Sequence, residues 1–246
     1  MILFAISEGT WTAIITIAAI GIVLAISYSL ANRRAAALQN AAAAMRFSFE
    51  RKGEALRNEL NSSLNLLRSG RNPTAYNVMR GPGDVALFDF EYTVGADRSA
   101  RTIGQTVAAY RFPGALMPEF HLCGEDFFHR AASAFGYKPI GFDTHPDFSK
   151  RFLLRGSDEN AIRSFFQPAL LDFFRTLPEK PAWNIEAAGP WLIIYRAKKK
   201  TKPAELSSFA QRTDEIAREI NLAAGISNAA QSNSGLRNDA SKYAAS

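Results

Sequence analysis

The sequence predicts an α+β protein, with an N-terminal transmembrane helix followed by one domain that combines an antiparallel β-meander with interleaved helices. Three observations carry this expectation. No charged side chain occurs from Gly9 to Asn32. Short segments of alternating apolar and polar residues, punctuated by Gly, Pro and Asp, run from Tyr76 to Cys123. Beyond them, stretches with helical spacing of apolar residues alternate with strand-like ones as far as Ile220.

The membrane segment comes first. Its core, Trp11 to Leu30, is 20 residues long, and a helix of that length spans the roughly 30 Å hydrocarbon layer. Trp11 and Tyr28 stand near its two ends, where amphipathic rings favour the interface. Only Glu8 and the amino terminus precede the run, whereas Arg33 and Arg34 follow it. The positive-inside bias therefore predicts an N-terminus outside and a cytoplasmic domain. A cleaved signal peptide ending at Ser29-x-Ala31 is the competing reading; the missing basic n-region and the long apolar run speak against it. Gly21, Ala25 and Ser29 recur every four residues, a spacing of small side chains through which two spans can approach as a homodimer.

The residues divide into four stretches: a transmembrane helix over 9–32, a juxtamembrane helical linker over 33–45, a soluble α+β domain over 46–222 and a disordered tail over 223–246. Phe47 and Phe49 alternate with polar residues. Leu56, Leu60, Leu64 and Leu67 make Glu54 to Arg68 read as one amphipathic helix. Tyr76 to Arg80 reads as a short strand, and Gly81-Pro-Gly-Asp84 as a turn. Phe88, Phe90, Tyr92 and Val94 then share one strand face, with Asp89, Glu91 and Thr93 on the other, the pattern of a half-buried strand. Thr102 to Arg111 and Glu119 to Cys123 extend the meander.

In the second half, Glu125 to Phe135 reads as a helix and Phe148 to Leu154 as a strand. Ser157 or Asp158 caps the helix that follows, which Pro168 must kink or divide. Its predicted core face is Ile162, Phe165, Phe166, Leu170, Phe173 and Leu177. A hairpin turns at Gly189-Pro190, and Pro203 opens a last helix with Leu206, Phe209, Ile216 and Ile220 on one side.

Two stretches, Asn77 to Thr93 and Phe148 to Asp158, resemble a loose group of uncharacterised bacterial proteins with an N-terminal span and a soluble domain of unknown function. The resemblance covers roughly Phe47 to Lys200. It implies a bacterial origin and a membrane setting, and it carries over no catalytic residue.

Composition narrows the function. Apolar residues make up 47% and aromatic residues 11%, enough for a filled core. The single cysteine, Cys123, rules out an internal disulfide and an all-cysteine metal site. The net charge of +6 resides between Arg33 and Arg80, where eight arginines and one lysine face three glutamates. The basic character is thus local to the membrane exit, so nucleic acid is not the expected partner. Arg33, Arg34, Arg46, Arg51 and Lys52 are the candidate lipid-facing cations. Lys198, Lys199, Lys200 and Lys202, with Arg196, form a second basic cluster.

Sites for chemistry are sparse. Asp143, His145 and Asp147 alternate in one loop, and acids beside an imidazole suit proton transfer or a divalent cation; the same residues also serve as turn caps around Pro146. His121 and Cys123 share a strand face, but only His129 and His145 remain as further imidazoles, so no metal site is expected. No phosphate-binding, dinucleotide-binding or nucleophile-elbow pattern occurs, and no cofactor is expected. The leading expectation is a non-enzymatic, membrane-anchored module that binds another protein or a ligand at the cytoplasmic face of a bacterial inner membrane. The alternative is an enzyme at the membrane face that uses the Asp143/His145/Asp147 loop.

Overall fold

The structure, a computed structural model, describes residues 8–60, 62–124, 138–180 and 182–243, with side chains from 11 to 225. Helix α1 (Glu8–Ala44) is continuous from the apolar run into the domain. Its first two-thirds touches little else: Ile15, Ile17 and Leu24 are 64–70% exposed. An apolar helix left uncovered in this way has the length and composition to cross a membrane. Its last third differs. Ala35, Leu38 and Ala42 lie on one face and are buried in the domain core. Within residues 33–45, expected as a helical linker, this face thus contributes to the domain's packing.

The described strands form one eight-stranded antiparallel sheet in the order β1-β2-β3-β4-β8-β7-β5-β6. They are β1 (Ser48–Lys52), β2 (Arg71–Gly81), β3 (Val85–Val94), β4 (Arg101–Arg111), β5 (Met117–Gly124), β6 (Phe152–Gly156), β7 (Asn184–Gly189) and β8 (Trp191–Tyr195). The first four are a meander. The β7–β8 hairpin then inserts between β4 and β5, and β6 closes the far edge. This confirms the α+β class, and both faces of the central strands are covered.

One face packs on the end of α1 and on later helices that include α4 (Glu159–Phe165), α5 (Pro168–Thr176) and α6 (Leu206–Tyr243). Asp158 caps α4, its Oδ1 accepting from the Ala161 amide at 2.9 Å. Pro168 divides the predicted long helix and becomes the first residue of α5. That division rotates the second half, so Phe174 is fully buried and Phe173 only partly. Phe120, Phe148, Phe165, Phe166 and Phe174 stack edge-on and tilted beneath the sheet, with centroids 5.0 to 6.2 Å apart. Leu206, Phe209, Ile216 and Ile220 hold α6 on the same core, and the Tyr110 hydroxyl shares a 2.8 Å hydrogen bond with Thr213.

The opposite face carries α2 (Glu54–Glu59) and a single 3-10 turn over Asn65–Arg68. The predicted helix over Glu54 to Arg68 is thus broken. Ser62 and Ser63 are poor helix formers, and the chain stays extended enough to bury Leu56, Leu60, Leu64 and Leu66 in turn. Gly53 makes this entry possible, because a Cβ there would lie 2.6 Å from the Ala75 backbone.

Three further boundaries differ from expectation. Strand β2 begins at Arg71, five residues early, and absorbs Pro73 beside a register shift. Residues Pro146–Arg151 form a short helix, α3, so the strand expected from Phe148 starts at Phe152. Pro146 fixes the first helical turn and Phe148 drops into the aromatic core. Helix α6 continues past Gly225, where composition predicts a disordered tail. Alanines between Ala223 and Ala240 have the propensity to continue a helix. The helix expected over Glu125 to Phe135 lies outside the described residues.

Candidate functional site

The exit of α1 from its apolar segment is where the sheet and the helix meet through polar groups. Strand alternation puts Leu87, Asp89 and Glu91 of β3 on the α1 side, and Phe88 and Phe90 on the α2 side. Asp89 is fully buried. Arg34 grips it with two parallel bonds, Nε to Oδ2 at 2.9 Å and Nη2 to Oδ1 at 2.7 Å. Arg34 also donates to the Thr201 carbonyl at 3.0 Å, which ties in the segment before α6. Thr106 donates to Asp89 Oδ1 at 2.9 Å and accepts from the Thr201 amide at 2.8 Å. Burial opposes the Arg34 charge, but the hydrogen bonds and the charge of Asp89 outweigh it and raise its pKa further.

A bulge supplies the third partner of Asp89. Tyr76 and Met79 of β2 face Asp89 and Leu87 of β3, so two residues of β2 oppose one. Asn77, the first of the two, has φ of 51°, a conformation that asparagine tolerates. Its side chain thereby turns to the α1 side and donates to Asp89 Oδ2 at 3.1 Å.

Beside this latch lies a groove of about 540 Å³, lined by Ser27, Ala31, Arg34, Arg51, Tyr76, Asn77, Glu91 and Lys200. Tyr76 donates to Glu91 Oε1 at 2.6 Å, and Lys200 pairs with the same oxygen. Burial first, then the bond to Glu91, pushes the Tyr76 phenol well above its ordinary pKa. Gly104 on β4 leaves room for Lys200, since a Cβ there would come within 2.7 Å of Lys200 Cε. Arg51 reaches across from β1 and donates to Asn32 Oδ1 at 2.6 Å.

The structure sorts the two basic sets anew. Arg34 is not lipid-facing, because it is turned inward onto Asp89. Of Arg51 and Lys52 on β1, only Arg51 lines the groove. Arg33, Arg46 and Lys52 are exposed. In the second cluster Lys200 makes one ion-pair contact, to Glu91, and Lys202 lies 3.6 Å from Glu205. Lys198 and Lys199 are exposed. Arg196 stacks over the Trp183 ring at 4.4 Å.

Two residues of the Asp143/His145/Asp147 loop, His145 and Asp147, face the Asp172–Arg175 pair of α5, itself 3.0 Å across. His145 Nδ1 meets the Thr144 hydroxyl at 2.9 Å, and its Nε2 lies 3.6 Å from Asp172. Asp147 instead lies 3.6 Å from Arg175. Asp143 is exposed. Among the described residues no group of three or more metal-capable side chains occurs. His121 and Cys123 share a buried face of β5, with His121 Nε2 4.0 Å from Glu186. Burial holds the Cys123 thiol protonated, its pKa pushed up to about 12. Glu186, itself buried, accepts from the Tyr195 hydroxyl at 2.7 Å and from the Leu66 amide at 3.1 Å. His129 lies outside the described residues.

Asp89 and Glu186 are the two polar anchors that sequence patterning misses. Asp89 reads as the solvent side of a half-buried strand, and only the packing of α1 reveals its burial. The available signal was an acid flanked by phenylalanines in the middle of the clearest strand.

No protein-family model matches the chain, and no curated protein does. Among solved structures, its fold is similar to the crystal structure of the mycobacterial trehalose monomycolate transport factor A, TtfA. That match covers 78% of this chain and 90% of the other, with a TM-score of 0.50 and 16% sequence identity. At this identity the likeness concerns the fold.

Proposed function

We propose that this chain is a non-catalytic membrane-anchored module that holds a binding surface against the cytoplasmic face of a bacterial inner membrane. Its partner is another membrane protein, as part of a transport assembly. The observation that carries the reading is the continuity of α1. The apolar segment enters the domain without a hinge, and the Arg34–Asp89 pair locks it to the sheet on its first turn inside. A span joined in this way fixes the height and orientation of the domain at the bilayer, which a flexible linker would not. The transport setting is supported by the fold shared with a factor named for moving trehalose monomycolate. The cytoplasmic placement is supported by Arg33, Arg46 and Arg51 after the span, against Glu8 before it.

The test is complementation in a strain lacking the gene, with in-cell cross-linking to identify the membrane partner. The variant Asp143→Asn/His145→Gln/Asp147→Asn is expected to complement fully and to cross-link to the same protein. A folded variant that fails to complement would overturn the reading in favour of an enzyme at the membrane face. A C-terminal reporter that is active only outside the cytoplasm would overturn the topology.

A further inference from the structure

We propose that the groove between α1 and the sheet binds the phosphate headgroup of an anionic phospholipid packed beside the span. This rests on the reading of α1 as a membrane span. Position is the first argument. Ser27 and Ala31 belong to the apolar segment and also line the groove. They lie about 24 and 30 Å along the helix from Trp11, the depth at which the hydrocarbon layer ends and headgroups begin. Lipid chains that pack along Ile20, Leu24 and neighbouring residues, all more than half exposed, bring their headgroups level with the groove mouth.

Chemistry is the second argument. Three cations line the groove against one carboxylate, Glu91. Arg34 spends its donors on Asp89, Thr106 and Thr201. Arg51 differs: its one partner among the described residues is the neutral amide oxygen of Asn32, so most of its five N–H donors remain for a phosphate. Lys200 gives one contact to Glu91 and keeps further donors. Glu91 is countered by Lys200 and bonded by the Tyr76 hydroxyl, which leaves the groove net positive. A guanidinium and an ammonium at a water-poor boundary match a phosphate diester in charge and geometry. The excess of cations favours lipids with a net negative headgroup over zwitterionic ones.

The experiment uses the full chain in neutral detergent micelles and reads bound lipid by native mass spectrometry, with phosphatidylglycerol and phosphatidylcholine offered at equal concentration. Retention of phosphatidylglycerol is expected to exceed that of phosphatidylcholine. Arg51→Gln should weaken it about tenfold, the scale of one charge-assisted contact. Arg57→Gln, on α2 across the sheet, should leave it unchanged, so general surface charge is controlled. Millimolar inorganic phosphate should not displace the lipid. Equal retention of the two lipids would overturn the proposal. So would equal losses from Arg51→Gln and Arg57→Gln, and so would displacement by free phosphate, which would indicate a soluble anion. Extraction of the chain from native membranes by alkaline carbonate would instead defeat the span itself. An inserted chain without lipid preference defeats only the headgroup site.

Discussion

Arg34 and Asp89, 55 residues apart in sequence, form a two-pronged ion pair with contacts of 2.9 and 2.7 Å, and this pair joins the end of the apolar segment to the third strand of the sheet. The carboxylate is fully buried and the guanidinium about one-fifth exposed. Removing the cation leaves a desolvated charge behind. Arg34→Met is therefore expected to destabilise the chain by about 2–4 kcal/mol, below the fully buried case because water reaches Arg34. For a chain of this size that is roughly 5–15 °C in Tm. Asp89→Leu combined with Arg34→Met should recover much of the loss, because two apolar groups leave no charge to solvate. Thermal melts of the full chain in detergent check both; an unchanged Tm for Arg34→Met would show the pair to be incidental.

The domain boundary follows from the same contact. A fragment that starts at Ala44 lacks Arg34, Ala35, Leu38 and Ala42, all of which meet the sheet or its core. It is expected to melt broadly and at lower temperature than a fragment starting at Asn32, which should give one cooperative transition. Superimposable transitions would return residues 33–45 to the status of a linker.

The class, the meander and the β7–β8 hairpin were legible because each rests on local alternation and on turn residues. The latch was not. The alternation of Phe88, Asp89, Phe90 and Glu91 says which residues share a face, but not what that face meets. Lys200 and Glu91 are 109 residues apart, and no spacing rule connects them. The two basic clusters were visible as composition, yet their partition into paired and available cations depends on register. Arg51 and Lys52 illustrate this: adjacent in sequence on β1, only Arg51 lines the groove. The Asp143/His145/Asp147 loop shows the converse: neighbours in sequence, His145 and Asp147 turn to Asp172 and Arg175 while Asp143 faces solvent.

Glu186 offers a test of the second buried acid. Its two oxygens accept from the Tyr195 hydroxyl and the Leu66 amide, which holds the 3-10 turn to the sheet. Glu186→Leu leaves both donors unpaired and should cost about 2–4 kcal/mol. Glu186→Gln keeps an acceptor for one of them and should cost roughly half as much. Urea titration of the two variants checks the order; equal losses would mean that side-chain volume, and not hydrogen bonding, is what matters there.

The last prediction concerns alkaline pH. Burial raises the pKa of Cys123 to about 12, against an ordinary value of 9.0. Burial also raises the Tyr195, Tyr76 and Tyr110 phenols. All four are neutral when protonated, so the folded state keeps protons that the unfolded state releases. Stability from these groups is complete below their unfolded pKa values and is lost as pH rises toward the folded ones. For Cys123 the window is about pH 9 to 12. Within it the unfolded chain binds one proton fewer, and the slope is about −1.4 kcal/mol per pH unit. Cys123→Ala removes that proton and also leaves a small void, so its absolute stability is not the informative quantity. The slope is. Between pH 9 and 11 the stability of the wild-type chain is expected to fall more steeply than that of Cys123→Ala by about that amount. The native thiol should also resist alkylation at pH 8 and react only on unfolding, because the reactive species is the thiolate. Parallel slopes, together with rapid labelling of the folded chain, would place Cys123 in contact with water and refute the burial on which the argument depends.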